Sequence, residues 1–97
     1  MPTYVQFTKL TEAGRKKKRT GDNSKEINKE PNEHIASMGA KILYQYALLG
    51  PWDFVNIIEA PSQEVMIRLA ADINAMGLAT TVTMPATSIA DLKDIIK

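Results

Sequence analysis

Cysteine is absent from the 97 residues. Its absence removes disulfides, thiolate nucleophiles and Cys-ligated zinc or iron–sulfur centres. A single histidine, His34, rules out a multi-histidine metal site within one chain. No apolar run approaches the ~20 residues of a membrane span, and no signal-peptide pattern opens the sequence, so the expectation is a cytoplasmic protein with no membrane span. An excess of one charge is also missing. The net charge of +1 excludes a uniformly basic nucleic-acid coat protein and an acidic tail protein. There is no Walker sequence, no GxGxxG and no other Gly-rich phosphate loop. What remains is ordinary globular material, 44% hydrophobic and 24% charged, and enough of it for one domain over residues 1–97.

The charge is nonetheless uneven. Residues 1–50 hold nine Lys/Arg against five Asp/Glu, and residues 51–97 hold three against six. The excess comes from one run, Arg15-Lys16-Lys17-Lys18-Arg19. No apolar residue lies between Gly14 and Glu26, so a helix there has no stripe to set against a core. The expectation is a short helical turn capped by Thr11, with Glu12 in its first turn, and then a mobile basic loop over about 15–23.

Elsewhere the periodicities are clearer. Thr3 to Lys9 reads as a strand. Ile27, Pro31, His34/Ile35 and Met38 have helical spacing, with Ser24 as a cap and Gly39 as the stop; Pro31 either kinks this helix or begins it late. Ala40 to Leu48 alternates as a strand, with Ile42, Tyr44, Tyr46 and Leu48 on one face. Gly50-Pro51 turns it into a second strand, Phe54 to Ile58. Ser62 caps a helix striped with Met66, Leu69, Ala70, Ile73 and Met76, and Gly77 ends it. Leu78 to Met84 reads as the last strand, and Ser88 with Asp91 resembles a capping box opening a helix that carries Ile89, Leu92 and Ile96. The order β-α-β-β-α-β predicts an α+β, ferredoxin-like domain: a four-stranded antiparallel sheet with helices on one face.

Leu49-Gly50-Pro51-Trp52-Asp53-Phe54-Val55, followed by Ile58-Glu59-Ala60-Pro61, resembles the signature of the GYD-domain family, small bacterial proteins named for a Gly-x-Tyr-Asp stretch at the central hairpin. Met1-Pro2-Thr3-Tyr4-Val5 and Thr11-Glu12-x-Gly14 resemble that family's start. Trp52 stands where the family has Tyr, and the basic run replaces the apolar anchors of its first helix. The resemblance implies a subunit that pairs through its sheet into a dimeric α+β barrel. It implies no particular activity, and related barrels serve too many chemistries for fold to choose among them.

Candidate site residues follow from residue type. Asp53, beside Trp52 at the hairpin mouth, is placed to act as a base, to accept a hydrogen bond from a ligand, or to accept bonds of its own turn. The turn reading is favoured. Tyr4, Tyr44 and Tyr46 put hydroxyls on strands, either as packing residues with a polar tip or as the lining of a pocket between sheet and partner. His34 is the other candidate acid or base, read in the first instance as a half-buried or surface histidine. No ligand spacing suggests a metal, and no motif calls for a cofactor. The leading expectation is a homodimeric module binding a small molecule between its sheets. The alternatives are a cofactor-free oxygenase or isomerase using Asp53, His34 and the tyrosines, and a nucleic-acid accessory protein acting through the basic run, which is disfavoured because no aromatic residue interleaves the cations.

The apolar content gives the firmest expectation. The predicted helices can cover one face of the sheet, yet both faces carry large apolar groups. The uncovered face is expected to join two copies.

Overall fold

The elements of the computed structural model follow the predicted order: β1 (Thr3–Leu10), α1 (Glu12–Thr20), α2 (Lys29–Ser37), β2 (Lys41–Ala47), β3 (Phe54–Glu59), α3 (Gln63–Ala75), β4 (Ala79–Ala86) and α4 (Ile89–Ile95). It describes residues 1–20 and 29–96, and the side chains of these other than 17–20, 29 and 30. Ser24 and Ile27, the expected cap and first apolar position of the second helix, lie outside the described residues.

All strand pairs are antiparallel, and the sheet order is β2-β3-β1-β4. This is the ferredoxin-like arrangement. Residues paired across neighbouring strands share a face, so the register sorts the side chains. One face carries Tyr4, Gln6, Asn56, Ile58 and Ala79, all buried, and receives Ile35 from α2 and Met66 and Leu69 from α3. The other face has two apolar rows across all four strands: Tyr44–Ile57–Val5–Met84 and Tyr46–Val55–Phe7–Val82. Nothing in the described chain covers it fully. Tyr44 and Tyr46 are 58% and 57% exposed, Val82 and Met84 42% and 44%.

Two local findings correct the sequence reading. The first concerns β2. A bulge between Ile42 and Tyr44 sets Ile42 opposite Ile58 but Tyr44 opposite Ile57. The extra residue breaks the period of two, so Ile42 packs at the helix-side core while Tyr44 and Tyr46 point to the open face. Four residues expected on one face are thus divided.

The second concerns the basic run, which is helical through Thr20 rather than a loop. Residues 21–23 of the expected loop lie outside the described residues. The helix has no apolar stripe, as the composition says, but local signals support it. Thr11 Oγ1 accepts from Gly14 N at 3.1 Å and closes the N-terminus. Glu12 lies in the first turn and pairs with Lys16 at 3.6 Å. A tertiary clamp adds to these: Thr11 N donates to Leu78 O at 3.0 Å, and Thr11 Oγ1 donates to Gly77 O at 2.8 Å.

α2 is described over Lys29–Ser37 and includes Pro31. The stops are as expected: Gly39 and Gly77 adopt φ of +80° and +73°, a conformation glycine reaches without strain. The expected caps of the later helices are also present, with Ser62 Oγ accepting from Val65 N at 3.3 Å and Ser88 Oγ from Asp91 N at 3.1 Å.

Candidate functional site

Asp53 is held at the junction of three strands. Its carboxylate Oδ2 accepts from Leu10 N at 2.8 Å, its own N–H donates to Thr8 O at 2.9 Å, and its carbonyl accepts from Leu48 N at 2.8 Å. The β2–β3 hairpin is thereby fastened to the end of β1. Trp52, half-buried, sets its ring against Phe7 with centroids 5.8 Å apart and a tilt of 43°, at the same end of the open face. The pair expected as one site thus has two tasks: Asp53 ties backbone and Trp52 extends the apolar surface.

Asp53→Ala is expected to cost about 1 kcal/mol, because the Leu10 N–H loses its acceptor. Asp53→Asn should cost less, since an amide oxygen still accepts. Urea unfolding of the two variants at matched protein concentration checks this. A neutral alanine variant would contradict the clamp.

The other candidates are spread over the molecule. His34 projects from α2 toward α3, where Nε2 donates to Asp72 Oδ2 at 2.8 Å, with both side chains about two-thirds buried. This bond lies on the helix side of the sheet. Tyr4 is buried on that side as well, at the floor of a groove of about 300 Å³ between α3 and β4 that also involves Met66, Ala70, Asn74, Thr81 and Thr83. Tyr44 and Tyr46 lie on the opposite face, their rings stacked 6.5 Å apart at 8°. The three tyrosines do not line one pocket. Asp53 stays at the hairpin end while His34 bonds across α2 and α3, so the structure does not gather the expected acid, base and hydroxyls. Among the described residues, no group of three or more His, Asp or Glu side chains could hold a metal ion.

One constellation was not expected at all. Beneath the helices, amides form a chain across the sheet. Gln6 Nε2 donates to Thr83 Oγ1 at 3.3 Å, and Asn56 Nδ2 donates to Gln6 Oε1 at 3.4 Å. Gln45 Nε2 donates to Asn56 Oδ1 at 2.9 Å and to Asn32 Oδ1 at 3.2 Å, and Asn32 Nδ2 returns a bond to Gln45 Oε1 at 3.3 Å. All four strands and α2 are linked. Gln6 is wholly buried and Asn56 nearly so. Its signal in the sequence is faint: a polar residue recurring on the apolar face of each strand. Thr81 Oγ1, beside the groove, is buried without a hydrogen-bond partner.

Geometry and comparison agree on class. The chain is a ferredoxin-like α+β domain, and it superposes on small solved proteins of that fold. FFRP-DM1 matches with a TM-score of 0.58 at 19% identity, over 90% of this chain and 100% of that one. The hypothetical protein PHS023 from Pyrococcus horikoshii matches with a TM-score of 0.55 at 19% identity, over 91% and 92%. At such identity the likeness is one of fold alone. The family is defined by sequence: the GYD domain model matches residues 4–96, and the chain belongs to the GYD family. A protein of Thermus thermophilus named "Glutamine synthetase and cystathionine beta-lyase binding protein" is 33% identical over 93 residues, covering 95% of each chain. Among the described residues, no helix is long and apolar enough to cross a membrane.

Proposed function

We propose that this protein is a homodimeric binding module that pairs through the open faces of its sheets and holds partner enzymes, not one that turns over a substrate of its own. The carrying observation is the open face itself. Two apolar rows cross four strands, and their edge residues Tyr44, Tyr46, Val82 and Met84 remain about half exposed. Single exposed apolar residues need no explanation, but a contiguous face of this kind marks a surface built for protein contact. Two-fold pairing of identical faces closes on itself and leaves no further apolar surface to propagate. The relative's printed name, a binding protein of two enzymes, supports the second half of the reading. In such a pair, Tyr44, Tyr46 and Trp52 border the space between the sheets, and a small molecule bound there would meet the tyrosine hydroxyls.

Light scattering at micromolar concentration is expected to give the mass of two chains. Tyr44→Lys or Ile57→Lys should weaken the pair at least tenfold, because a cation is then buried against an apolar partner. A mass of one chain for the unaltered protein overturns the reading. The enzyme-holding half is tested by titrating purified glutamine synthetase and cystathionine beta-lyase against the dimer. Saturable binding to either supports it, and binding to neither removes it.

A further inference from the structure

We infer that α4 is an exchanged arm: in the paired protein, the helix of each copy seats its apolar stripe on the Tyr44–Tyr46 edge of the other copy's sheet. The inference rests on the paired-sheet reading above and adds what completes that interface. It starts from the helix. Ile89, Leu92 and Ile96 recur at helical spacing with Ile95 beside them, and no residue of α4 is buried. Ile89, Ile95 and Ile96 are 69–70% exposed. A seven-residue helix is far below the roughly 12–15 residues at which isolated helices become even marginal in water. The Ser88 cap supports its first turn but cannot supply the burial that holds such a short helix. It therefore needs a surface to pack on.

Its own sheet does not provide that surface. Val82 and Met84, the open-face residues of the strand from which α4 continues, stay exposed, so the helix is not folded back over them. A second copy does provide it. Pairing about a two-fold axis parallel to the strands lays β4 of one copy over β2 of the other, because β4 and β2 are the two edges of the sheet. The helix that follows β4 then passes directly onto β2 of the partner, where the stacked rings of Tyr44 and Tyr46 form the most exposed apolar part of the open face. The exchanged helices would add the apolar stripe of Ile89, Leu92 and Ile96 to the surface the paired sheets bury.

The test mixes two preparations of the full chain, one with labelled Ile and Leu methyl groups on a deuterated background and one unlabelled. Contacts between the methyls of Ile89, Leu92 or Ile96 and the ring protons of Tyr44 or Tyr46 are expected only between copies. The triple change Ile89→Ser, Leu92→Ser and Ile96→Ser is expected to raise the dimer dissociation constant at least tenfold while leaving the circular dichroism of the core unchanged. A dimer whose α4 methyls contact only their own chain, or whose dissociation constant is unmoved by the triple change, overturns the exchange and leaves the paired sheets standing. A monomeric parent protein overturns both.

Discussion

Gly14→Ala is expected to destabilise the protein by roughly 2–3 kcal/mol, although helix propensity alone predicts the opposite sign. Gly14 lies in the first turn of α1, where alanine is normally better than glycine by up to about 1 kcal/mol. A Cβ at this position would meet the Leu78 carbonyl oxygen, with the Leu78 carbonyl carbon next at 2.9 Å. These are backbone atoms at the α3–β4 connection and cannot rotate aside. The structure then has two ways to respond. It can shift the connection, at the cost of an overpacked core, typically 1–3 kcal/mol. Or it can let α1 lift away and lose the two Thr11 bonds to Gly77 and Leu78, each worth about 1 kcal/mol, together with the packing beneath them. Both routes land in the same range, and both exceed the propensity gain. Urea unfolding midpoints at one fixed protein concentration measure the effect, since self-association would otherwise move the midpoint. An unchanged or raised midpoint would show that α1 does not dock here.

That glycine also marks the limit of what could be read along the chain. The Thr11-Glu12-x-Gly14 pattern was visible, and so was the cap. The reason for glycine was not, because its neighbour is a carbonyl on the far side of the fold. Helices that begin and end on local chemistry were legible: Ser62 to Gly77 is the plainest, with a hydroxyl at one end and a left-handed glycine at the other. The tail of α1 was illegible for the converse reason. This helix has no apolar stripe and stands on its cap, its Glu12–Lys16 pair and a distant clamp. The bulge at Ile42–Tyr44 escaped a strict alternation because a bulge is a relation between two strands, seen only when Ile58 and Ile57 are set opposite. Asp53 was read as a turn residue, and it does bind backbone, but its carboxylate reaches Leu10 on β1 rather than closing its own turn. The open apolar face was the most legible feature of the candidate site, since covering one side of a sheet with two helices leaves the other side bare whatever the register. The amide chain was the least legible. Gln6, Gln45 and Asn56 each look like a solvent-facing position until pairing makes them neighbours.

The second large effect is expected in that chain. Gln6→Leu should cost roughly 2–3 kcal/mol despite placing an apolar side chain of similar size in a wholly buried site. The loss comes from the partners left behind. Asn56 Nδ2, nearly fully buried, loses the Gln6 Oε1 that accepts its proton where water does not replace it, and Thr83 Oγ1 loses the Gln6 amide that donates to it. The double variant Gln6→Leu/Asn56→Leu removes the stranded amide as well. It leaves Gln45 with Asn32, a bond that lies toward the outer edge. Its cost should therefore fall short of the sum of the two single costs by about 1 kcal/mol or more, the signature of a coupled pair rather than two independent packing sites. Strict additivity in that cycle would show that the bonds carry no net stabilisation. The arrangement also bears on register. Gln6 lies opposite both Asn56 and Thr83, and Gln45 lies opposite Asn56. Slipping any strand by one residue turns its amide to the open face and leaves its neighbours unpaired beneath the helices. An apolar row would tolerate such a slip far better, because leucine packs against leucine in either register. The strand pairing of the double variant should thus become less unique. Broadened amide resonances from β1 and β3, against sharp ones in the parent, are the expected result.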